Sequence, residues 1–421
     1  MIVLVSLTVI FIAALIGRGA IGGLLLDWTG ENNTWYQIRA LSSTLFQRPI
    51  DTDDLSPVAY AGVNPFGVNT FFEQEVEDWK LHMSMQLLRT AGAHWVRQEM
   101  PWSDIEINGK GDYKGPYGDN WAKYDRFIAL AGQYDLNIVA RLDDPPNWTR
   151  QDNSVHNRPP DNYEDYGDFV YAFVSRYKGQ IKYYQIWNEP NIYPEWGNQA
   201  VNAKQYVALL KVAYKRAKEA DPDAVILCAG LAPTFTKDDG TAESDLTYLQ
   251  KMYDAGAGDY FDIMSAMGYS PWSGPGDRRA DAERVNFSRL RLIREIMVRN
   301  GDAAKSVWVS EVGFDALPDD FPGPPTHGKV TREEQATYTE LAYKRAIEEW
   351  PWVGVVFYWH LRMVHDENRN QVVYYFGMTD TDFTIHPVYF SYMKFANEPP
   401  VLHYGYRQED DRALTYRGTW Q

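Results

Sequence analysis

From about residue 60 onward, short apolar runs alternate with longer segments in which apolar residues recur every three or four positions. The short runs predict strands buried on both faces, and the longer segments predict amphipathic helices. The strands are predicted to start near Tyr60, His94, Leu136, Ile181, Ala224, Phe261, Ser306 and Val353. The helices are predicted at 75–90, 121–134, 163–177, 203–220, 245–255, 287–299, 332–350 and 387–395.

This eightfold alternation predicts a closed (β/α)8 barrel of the α/β class, formed as one domain. A doubly wound sheet is the competing arrangement, but it usually has fewer units and a glycine-rich first turn. The barrel is expected at 58–396, after an apolar segment at 1–26 and a linker or N-terminal wrap at 27–57. Residues 397–421 are expected to form a C-terminal extension, either packed on the barrel or leading into a further module.

Polar residues stand where the predicted strands end, which is the edge at which such barrels carry their active sites. Asn64 is expected after the first strand, Glu189 follows the fourth and Glu311 follows the seventh. A carboxylate at the end of a buried strand costs free energy unless it is paired or used. Because strands four and seven lie on opposite sides of the barrel, the two glutamates are expected to face each other. Paired carboxylates are the groups that glycosidic-bond hydrolysis requires.

The neighbouring residues predict different roles for the two glutamates. Retaining hydrolysis needs one ionised nucleophile and one protonated acid, ~5–5.5 Å apart. Arg97, after strand two, and Tyr269, after strand six, are expected to hold Glu311 in its ionised form. Glu311 is therefore the predicted nucleophile and Glu189 the predicted acid/base. Asn188 is expected to form a hydrogen bond to a sugar hydroxyl near the reacting carbon.

Further residues near the strand ends are predicted to contact the substrate. Trp359 would provide an aromatic floor, and Trp102, Trp148 and Trp272 are predicted sugar platforms, because flat rings pack against apolar faces. Asp143 is expected to bind a sugar hydroxyl or to pair with a nearby arginine.

The tetrapeptide Trp-Asn-Glu-Pro at 187–190, with Glu311 and Trp359, resembles the glycoside hydrolases of clan A. Positions 186–191 with Trp196 are most similar to family 39, whereas 307–313 resembles family 5. The resemblance covers roughly residues 60–396 and implies a retaining mechanism on β-linked glycosides without a metal. It also implies that Asn188 precedes the acid/base and that Arg97 and Tyr269 support the site. One departure is Arg-Leu-Asp-Asp at 141–144, where many members have a histidine.

The charge, cysteine and histidine content of the chain excludes several classes of partner and cofactor. The net charge of −16 argues against a nucleic-acid partner, which requires a basic surface. The single cysteine, Cys228, excludes an internal disulfide and any multi-cysteine metal site, and its apolar surroundings predict burial. The histidines show no metal-ligand spacing, and neither a metal nor another cofactor is expected.

The N-terminal sequence predicts export. Residues 2–16 are almost wholly apolar, and the apolar character resumes after Arg18 through Leu26. Such a segment is typical of a signal peptide or a single membrane anchor, so a secreted or anchored extracytoplasmic protein is expected. The sequence thus favours an exported retaining β-glycosidase acting on a polysaccharide or oligosaccharide. A catalytically silent carbohydrate-binding barrel and a transglycosylase with the same glutamate pair are the alternatives.

Overall fold

The computed structural model describes residues 20–116 and 118–398. Eight parallel strands form a near-closed barrel, each followed by an outer helix, which confirms the predicted (β/α)8 fold. Strands β1–β8 are Phe66–Thr70, Trp95–Pro101, Asn137–Asp143, Tyr183–Ile186, Val225–Leu227, Met264–Met267, Val307–Val312 and Val353–Tyr358. Helices α1–α8 are Asp78–Thr90, Trp121–Gln133, Tyr163–Tyr177, Ala203–Ala220, Asp245–Asp254, Leu290–Arg299, Arg332–Glu349 and Pro387–Asn397.

The hydrogen-bonded strand order is β5-β4-β3-β2-β1-β8-β7-β6. Two isolated parallel bridges, Leu227 with Ile263 and Leu231 with Ala266, connect β5 to β6 and close the ring. The register between β6 and β7 shifts just before Met267 pairs with Glu311. Such irregularities re-aim side chains beside functional sites, and this one lies at the predicted nucleophile.

Large side chains fill the barrel interior. Trp95 lies 5.0 Å, between ring centres, from both Tyr183 and Trp308, and Tyr183 stacks on Trp308 at 5.1 Å. Phe357 and several aliphatic residues complete this inner core. Because the interior is packed, a substrate can approach only at the rim of the barrel, where the loops leave the strands.

The first strand begins at Phe66 and not near Tyr60, and Asn64 is therefore not at its carboxyl end. The apolar run before Pro65 closes the amino-terminal end of the barrel, with Val63 buried in the inner core. The Asn64 side chain accepts a hydrogen bond from the Phe66 N–H at 2.9 Å. The prediction for Asn64 was wrong because Pro65 has no N–H to donate to a neighbouring strand, and the strand begins only after it. The pattern of apolar residues alone does not show this limit.

Residues before the barrel form two N-terminal helices, Ala20–Thr29 and Thr34–Leu45. Asn33 caps the second one, since its side chain accepts from the Trp35 N–H at 2.9 Å. A short helix, Trp102–Ile105, and the two-residue strands Lys114–Gly115 and Gly118–Asp119 lie in the loop after β2. Within the described ranges, no helix is both long enough and apolar enough to span a membrane. Residues 1–19, with most of the predicted leader, and 399–421 lie outside the described residues.

Candidate active site

A cavity of about 720 Å³ opens at the carboxyl ends of the barrel strands. Both glutamates of the predicted pair line it. Of the other predicted site residues, Asn188, Tyr269, Trp359, Trp272 and Asp143 also line this cavity. These predicted site residues therefore meet at one cavity in the folded chain, although they are far apart in the sequence.

Arg97, on β2, organises the floor of this site. Its Nη1 donates to Glu311 Oε1 and to Asn69 Oδ1, each at 2.8 Å. Its Nη2 donates to Asn188 Oδ1 at 2.7 Å, and its Nε to Gln185 Oε1 at 2.8 Å. The guanidinium is buried, and charge-assisted bonds from its rigid fork are strong and directional. One side chain thus fixes the relative positions of groups on β1, β4 and β7 and in the loop after β4.

Glu311 receives a donor on each carboxylate oxygen. Arg97 contacts Oε1, and the Tyr269 hydroxyl donates to Oε2 at 2.7 Å. Burial, and then the charge of Glu311, raise the pKa of Tyr269 well above its usual value, so Tyr269 keeps its proton for this bond. A guanidinium and a hydroxyl donor together hold the carboxyl group of Glu311 in one orientation.

Glu189 emerges from a constrained turn after β4. It has a φ of 41°, and Trp187 a φ of 70°, both in the left-handed region. A non-glycine residue there costs on the order of 1–3 kcal/mol and persists only when its surroundings enforce it. The enforcing contacts are the Glu189 N–H bond to the Gly230 carbonyl at 2.9 Å and the buried amide of Asn191. That amide donates to two carbonyls of the loop after β5, at 2.9 Å each.

Burial is the main cause that raises the pKa of Glu189 well above its usual range, and the charge of Glu311 raises it further. The charge of Glu195 acts in the same direction, whereas Arg97 and Arg141 lower the pKa of Glu189 by smaller amounts. A carboxyl that retains its proton, on the same cavity as a second carboxyl fixed by two donors, is an arrangement that acid-assisted nucleophilic displacement can use.

A second group of charges lies on the β2–β3 side of the cavity. Arg141 forms ion pairs with Glu99 at 2.6 Å and with Asp143 at 2.8 Å, so the predicted arginine partner of Asp143 is Arg141. Asp143 Oδ1 is buried, with no hydrogen-bond partner among residues 20–116 and 118–398. The residue lines the cavity, and its contact with a sugar hydroxyl stays a prediction.

The fold places the chain among known proteins, although no family model and no curated protein matches its sequence. A family 39 glycoside hydrolase from the gut symbiont Bacteroides cellulosilyticus WH2 aligns with a TM-score of 0.57 and 19% identity. That alignment covers 81% of this chain and 65% of the Bacteroides chain. A GH5_18 protein from Bifidobacterium longum subsp. infantis aligns with a TM-score of 0.57 and 15% identity, covering 80% of this chain and 79% of that one.

A GH39 β-xylosidase from Caulobacter crescentus aligns at a TM-score of 0.56 and 14% identity, covering 82% of this chain and 73% of its own. The chain has the fold of the clan A glycoside hydrolases. At these sequence identities the structural similarity establishes the fold alone. The chain spans just under two thirds of the length of the Bacteroides glycoside hydrolase. The expected resemblance to families 39 and 5 is confirmed at the level of the fold.

The four predicted tryptophan contacts divide into two pairs. Trp359 and Trp272 line the cavity, and Trp272 is 68% exposed. Trp102 is fully buried, with its ring stacked on Phe169 of α3 at 5.2 Å. Trp148 meets Trp102 edge-on at 5.6 Å and does not line the cavity. The prediction of a sugar platform is therefore wrong for Trp102, because the loop after β2 packs its ring against α3. Trp148, in the loop after β3, belongs to the same packed cluster.

Several cavity and floor residues escaped the sequence analysis. Asn69, the last residue but one of β1, donates to the Ser310 carbonyl at 3.0 Å, and Gln185 is a buried amide inside β4. Glu195 lies in a short helical turn after the Trp-Asn-Glu-Pro motif and lines the cavity. Polar residues within otherwise apolar strands were the available signal for the first two. Among the residues that the structure describes, no cluster of three or more His, Cys, Asp or Glu side chains is arranged to hold a metal.

Asp315 is an unused carboxyl near the site. It is 1% exposed and lies on the cavity-lining loop after β7. Neither carboxyl oxygen has a hydrogen-bond partner within the described part of the chain. Burial, only partly opposed by Arg332, raises the pKa of Asp315 to about 7.

We expect Asp315→Asn to reduce the loss of stability above about pH 5. The folded state holds this proton up to about pH 7, whereas an unfolded aspartate releases it near pH 4. The contribution of Asp315 to the free energy of unfolding is therefore fully present below about pH 4 and is lost as pH rises through 7. The total loss is up to ~4 kcal/mol. Melting curves at about pH 5 and pH 8 should show a Tm difference several degrees smaller in the variant. Equal differences in both proteins would contradict the assignment.

Proposed function

We propose that the chain is a retaining β-glycoside hydrolase that works by double displacement, with Glu311 as nucleophile and Glu189 as acid/base. The observation that carries the proposal is the asymmetry of two carboxyls on one cavity. Glu311 accepts from Arg97 and Tyr269, whereas burial keeps the proton on Glu189. The clan A-like fold supports the same chemistry.

In the first step, Glu189 gives its proton to the glycosidic oxygen while a Glu311 oxygen attacks the anomeric carbon. The carbon–oxygen bond to the leaving sugar breaks, an alcohol departs, and a glycosyl ester of Glu311 remains. In the second step, the Glu189 carboxylate takes a proton from water, and the water oxygen attacks the anomeric carbon and frees Glu311.

The electrostatics of the pair suit both steps. The charge of Glu311 is one cause of the raised pKa of Glu189. This charge disappears when Glu311 becomes an ester, so the pKa of Glu189 falls in the intermediate. Glu189 then remains ionised long enough to act as the base for water. The same two residues thereby alternate between acid and base forms without a third proton carrier.

Asn188 and Trp359 complete the proposed sugar site. The Asn188 carbonyl oxygen already accepts from Arg97, so its Nδ2 is left to donate to a sugar hydroxyl beside the reacting carbon. Trp359 lines the cavity and contacts Phe71 edge-on at 5.6 Å, which fixes its ring as a floor. Both contacts would hold the sugar ring across the glutamate pair.

We expect Tyr269→Phe to lower kcat by roughly 10- to 150-fold with a smaller change in KM. The variant removes a hydrogen bond to a charged group, worth ~1.5–3 kcal/mol, and leaves the aromatic ring in place. Steady-state kinetics on an aryl β-glycoside measures this effect. Tyr375→Phe is a matched control, since the Tyr375 hydroxyl donates to the Arg369 carbonyl at 3.0 Å, away from the glutamates. Equal kcat in Tyr269→Phe and Tyr375→Phe would remove Tyr269 from the mechanism.

Product stereochemistry tests the proposed mechanism. Proton NMR of the first product formed from an active β-glycoside should show the β-anomer before mutarotation, because two inversions restore the configuration. An α-anomer would refute the double displacement. Absence of turnover across a panel of β-glycosides and polysaccharides, with sugar binding intact, would favour a silent binding barrel. A product with the donor sugar joined to an added acceptor would indicate a transglycosylase.

We further propose that the substrate is a polysaccharide or oligosaccharide outside the cytoplasm. The support is the apolar sequence at 2–16, which is typical of an export signal or anchor. Fusion of residues 1–57 to alkaline phosphatase, which is active only after export, tests this location in a bacterial host. An inactive, fully synthesised fusion would contradict it.

A further inference from the structure

Large apolar side chains are concentrated on the surface of the two N-terminal helices and the segment that follows them. Of the fourteen such side chains that are exposed in the described residues, six lie between positions 28 and 55. They are Trp28, Trp35, Tyr36, Leu45, Phe46 and Leu55. A dense group of exposed rings and aliphatic chains marks a surface that contacts another apolar body.

The second N-terminal helix, Thr34–Leu45, leaves large aromatic and aliphatic side chains on its outer side. It buries Gln37 and Ala40 against the protein, and Gln37 Nε2 donates to the Glu31 carbonyl at 2.8 Å. Trp35, Arg39 and Phe46 follow one another at spacings of four and seven, so they share an outward stripe. Trp35 is 70% and Phe46 84% exposed. A helix normally turns such residues toward the core.

Arginines accompany these rings. A groove of about 1110 Å³ lies between this helix and helices α5 and α6, with Tyr36, Arg39 and Arg299 among its lining residues. Arg48 in the groove is paired with Glu295 at 2.6 Å. Arg39 and Arg299 are exposed, and neither forms an ion pair within residues 20–116 and 118–398. Their charges are available for anionic groups outside the protein.

The sequence before this surface indicates what covers it. The apolar segment at 2–16 leads, through three further residues, into the helix Ala20–Thr29. We propose that the N-terminal face, comprising Trp35, Leu45, Phe46, Arg39 and Arg299, docks on the phospholipid bilayer that holds this segment. Aromatic side chains favour the headgroup level, and arginines beside them attract headgroups with a net negative charge. The inference requires that the apolar segment is retained, and it is independent of the proposed hydrolysis.

Docking in this way would set the orientation of the cavity. The first N-terminal helix is followed by Gly30, which lies against Ser273 so closely that a side chain at 30 would collide with it. Trp28 stacks on the guanidinium of Arg278 at 4.5 Å. Both contacts are with the loop after β6, the loop that also presents Trp272 to the cavity. The cavity would therefore open beside the bilayer, toward glycans that lie along the membrane surface.

Photocrosslinking of the full chain in vesicles tests the docking. The vesicles combine phosphatidylcholine and phosphatidylglycerol with a diazirine-bearing phospholipid, and labelled peptides are identified by mass spectrometry. Label is expected on peptides covering 34–48 in addition to 1–19. Trp35→Ser/Phe46→Ser should lower the label on 34–48 by about tenfold, because two buried rings are lost from the interface. Trp79→Ser, on α1 and also exposed, should leave the label unchanged.

Label confined to 1–19, equal label around Trp79, or unchanged label in Trp35→Ser/Phe46→Ser would each overturn the proposal. Arg39→Gln/Arg299→Gln should reduce label on 34–48 with phosphatidylglycerol and have little effect in pure phosphatidylcholine. The same loss in both lipids would remove the attraction to anionic headgroups from the proposal. Circular dichroism melting of each variant separates loss of docking from loss of folding, and a variant that melts early is replaced by Trp35→Gln/Phe46→Gln.

Discussion

Replacing Glu311 by glutamine is expected to abolish turnover of every β-glycoside that the protein hydrolyses, with kcat lowered ~10⁴-fold or more. Glutamine has nearly the same shape but no nucleophilic carboxylate, so no glycosyl ester can form. Substrate binding should persist, because the cavity keeps Asn188, Trp359 and Glu189. The measurement is kcat on an aryl glycoside, together with the Kd for its product by calorimetry.

This variant also leaves Arg97 without its buried anion. Loss of one member of a buried pair costs up to roughly 3–5 kcal/mol, so a lower Tm is expected. Activity must therefore be compared below the transition, with Glu283→Gln as a matched control at an exposed position. If folded Glu311→Gln retained more than about a tenth of the activity, another residue would have to be the nucleophile.

Replacing Glu189 by glutamine is expected to have an effect that depends on the leaving group. An alcohol leaving group needs a proton, so kcat/KM for an oligosaccharide should fall by ~10²–10⁴-fold. A dinitrophenolate leaves without a proton, so kcat/KM for its glycoside should change little. Glycosyl-enzyme hydrolysis should become slow, because no base activates water. Added azide, which needs no base, should restore turnover and give a β-glycosyl azide.

Kinetics with both leaving groups, with and without azide, therefore assign the role of Glu189. Glu195→Gln is a useful comparison, since Glu195 lines the same cavity and influences Glu189 through its charge. Equal losses for both leaving groups in Glu189→Gln, without azide rescue, would exclude Glu189 as the acid/base.

Local signals allowed much of the fold to be predicted. Helices Tyr163–Tyr177 and Ala203–Ala220 match their predicted bounds, because Asn162 and Asn202 cap them with side chains that accept from the first turn. The first strand was misplaced because the apolar run before Pro65 packs into the inner core at the amino-terminal end of the barrel, and the continuous strand begins only at Phe66. Apolar pattern alone does not separate these two environments.

The glutamates of the site could be predicted because each lies at or just beyond the carboxyl end of a recognisable strand, Glu311 within the last two residues of β7 and Glu189 three residues after β4. The residues that form the floor of the cavity beneath these glutamates could not be predicted. Asn69 and Gln185 meet Arg97 only because strands distant in sequence converge in the ring. Trp102 failed as a sugar platform because packing of its loop on α3 decides whether its ring is buried. Strand-end chemistry is a local property, whereas loop burial is set by tertiary packing.

The most direct test is covalent trapping of the glycosyl-enzyme. The protein is incubated with a panel of 2-deoxy-2-fluoro β-glycosides carrying good leaving groups, and the labelled peptide is sequenced by mass spectrometry. Fluorine slows both steps, and the leaving group restores the first, so the ester accumulates. The account predicts a label on Glu311, and the sugar that reacts would identify the substrate class. A label on Glu189, or no label on folded protein from any sugar in the panel, would contradict it.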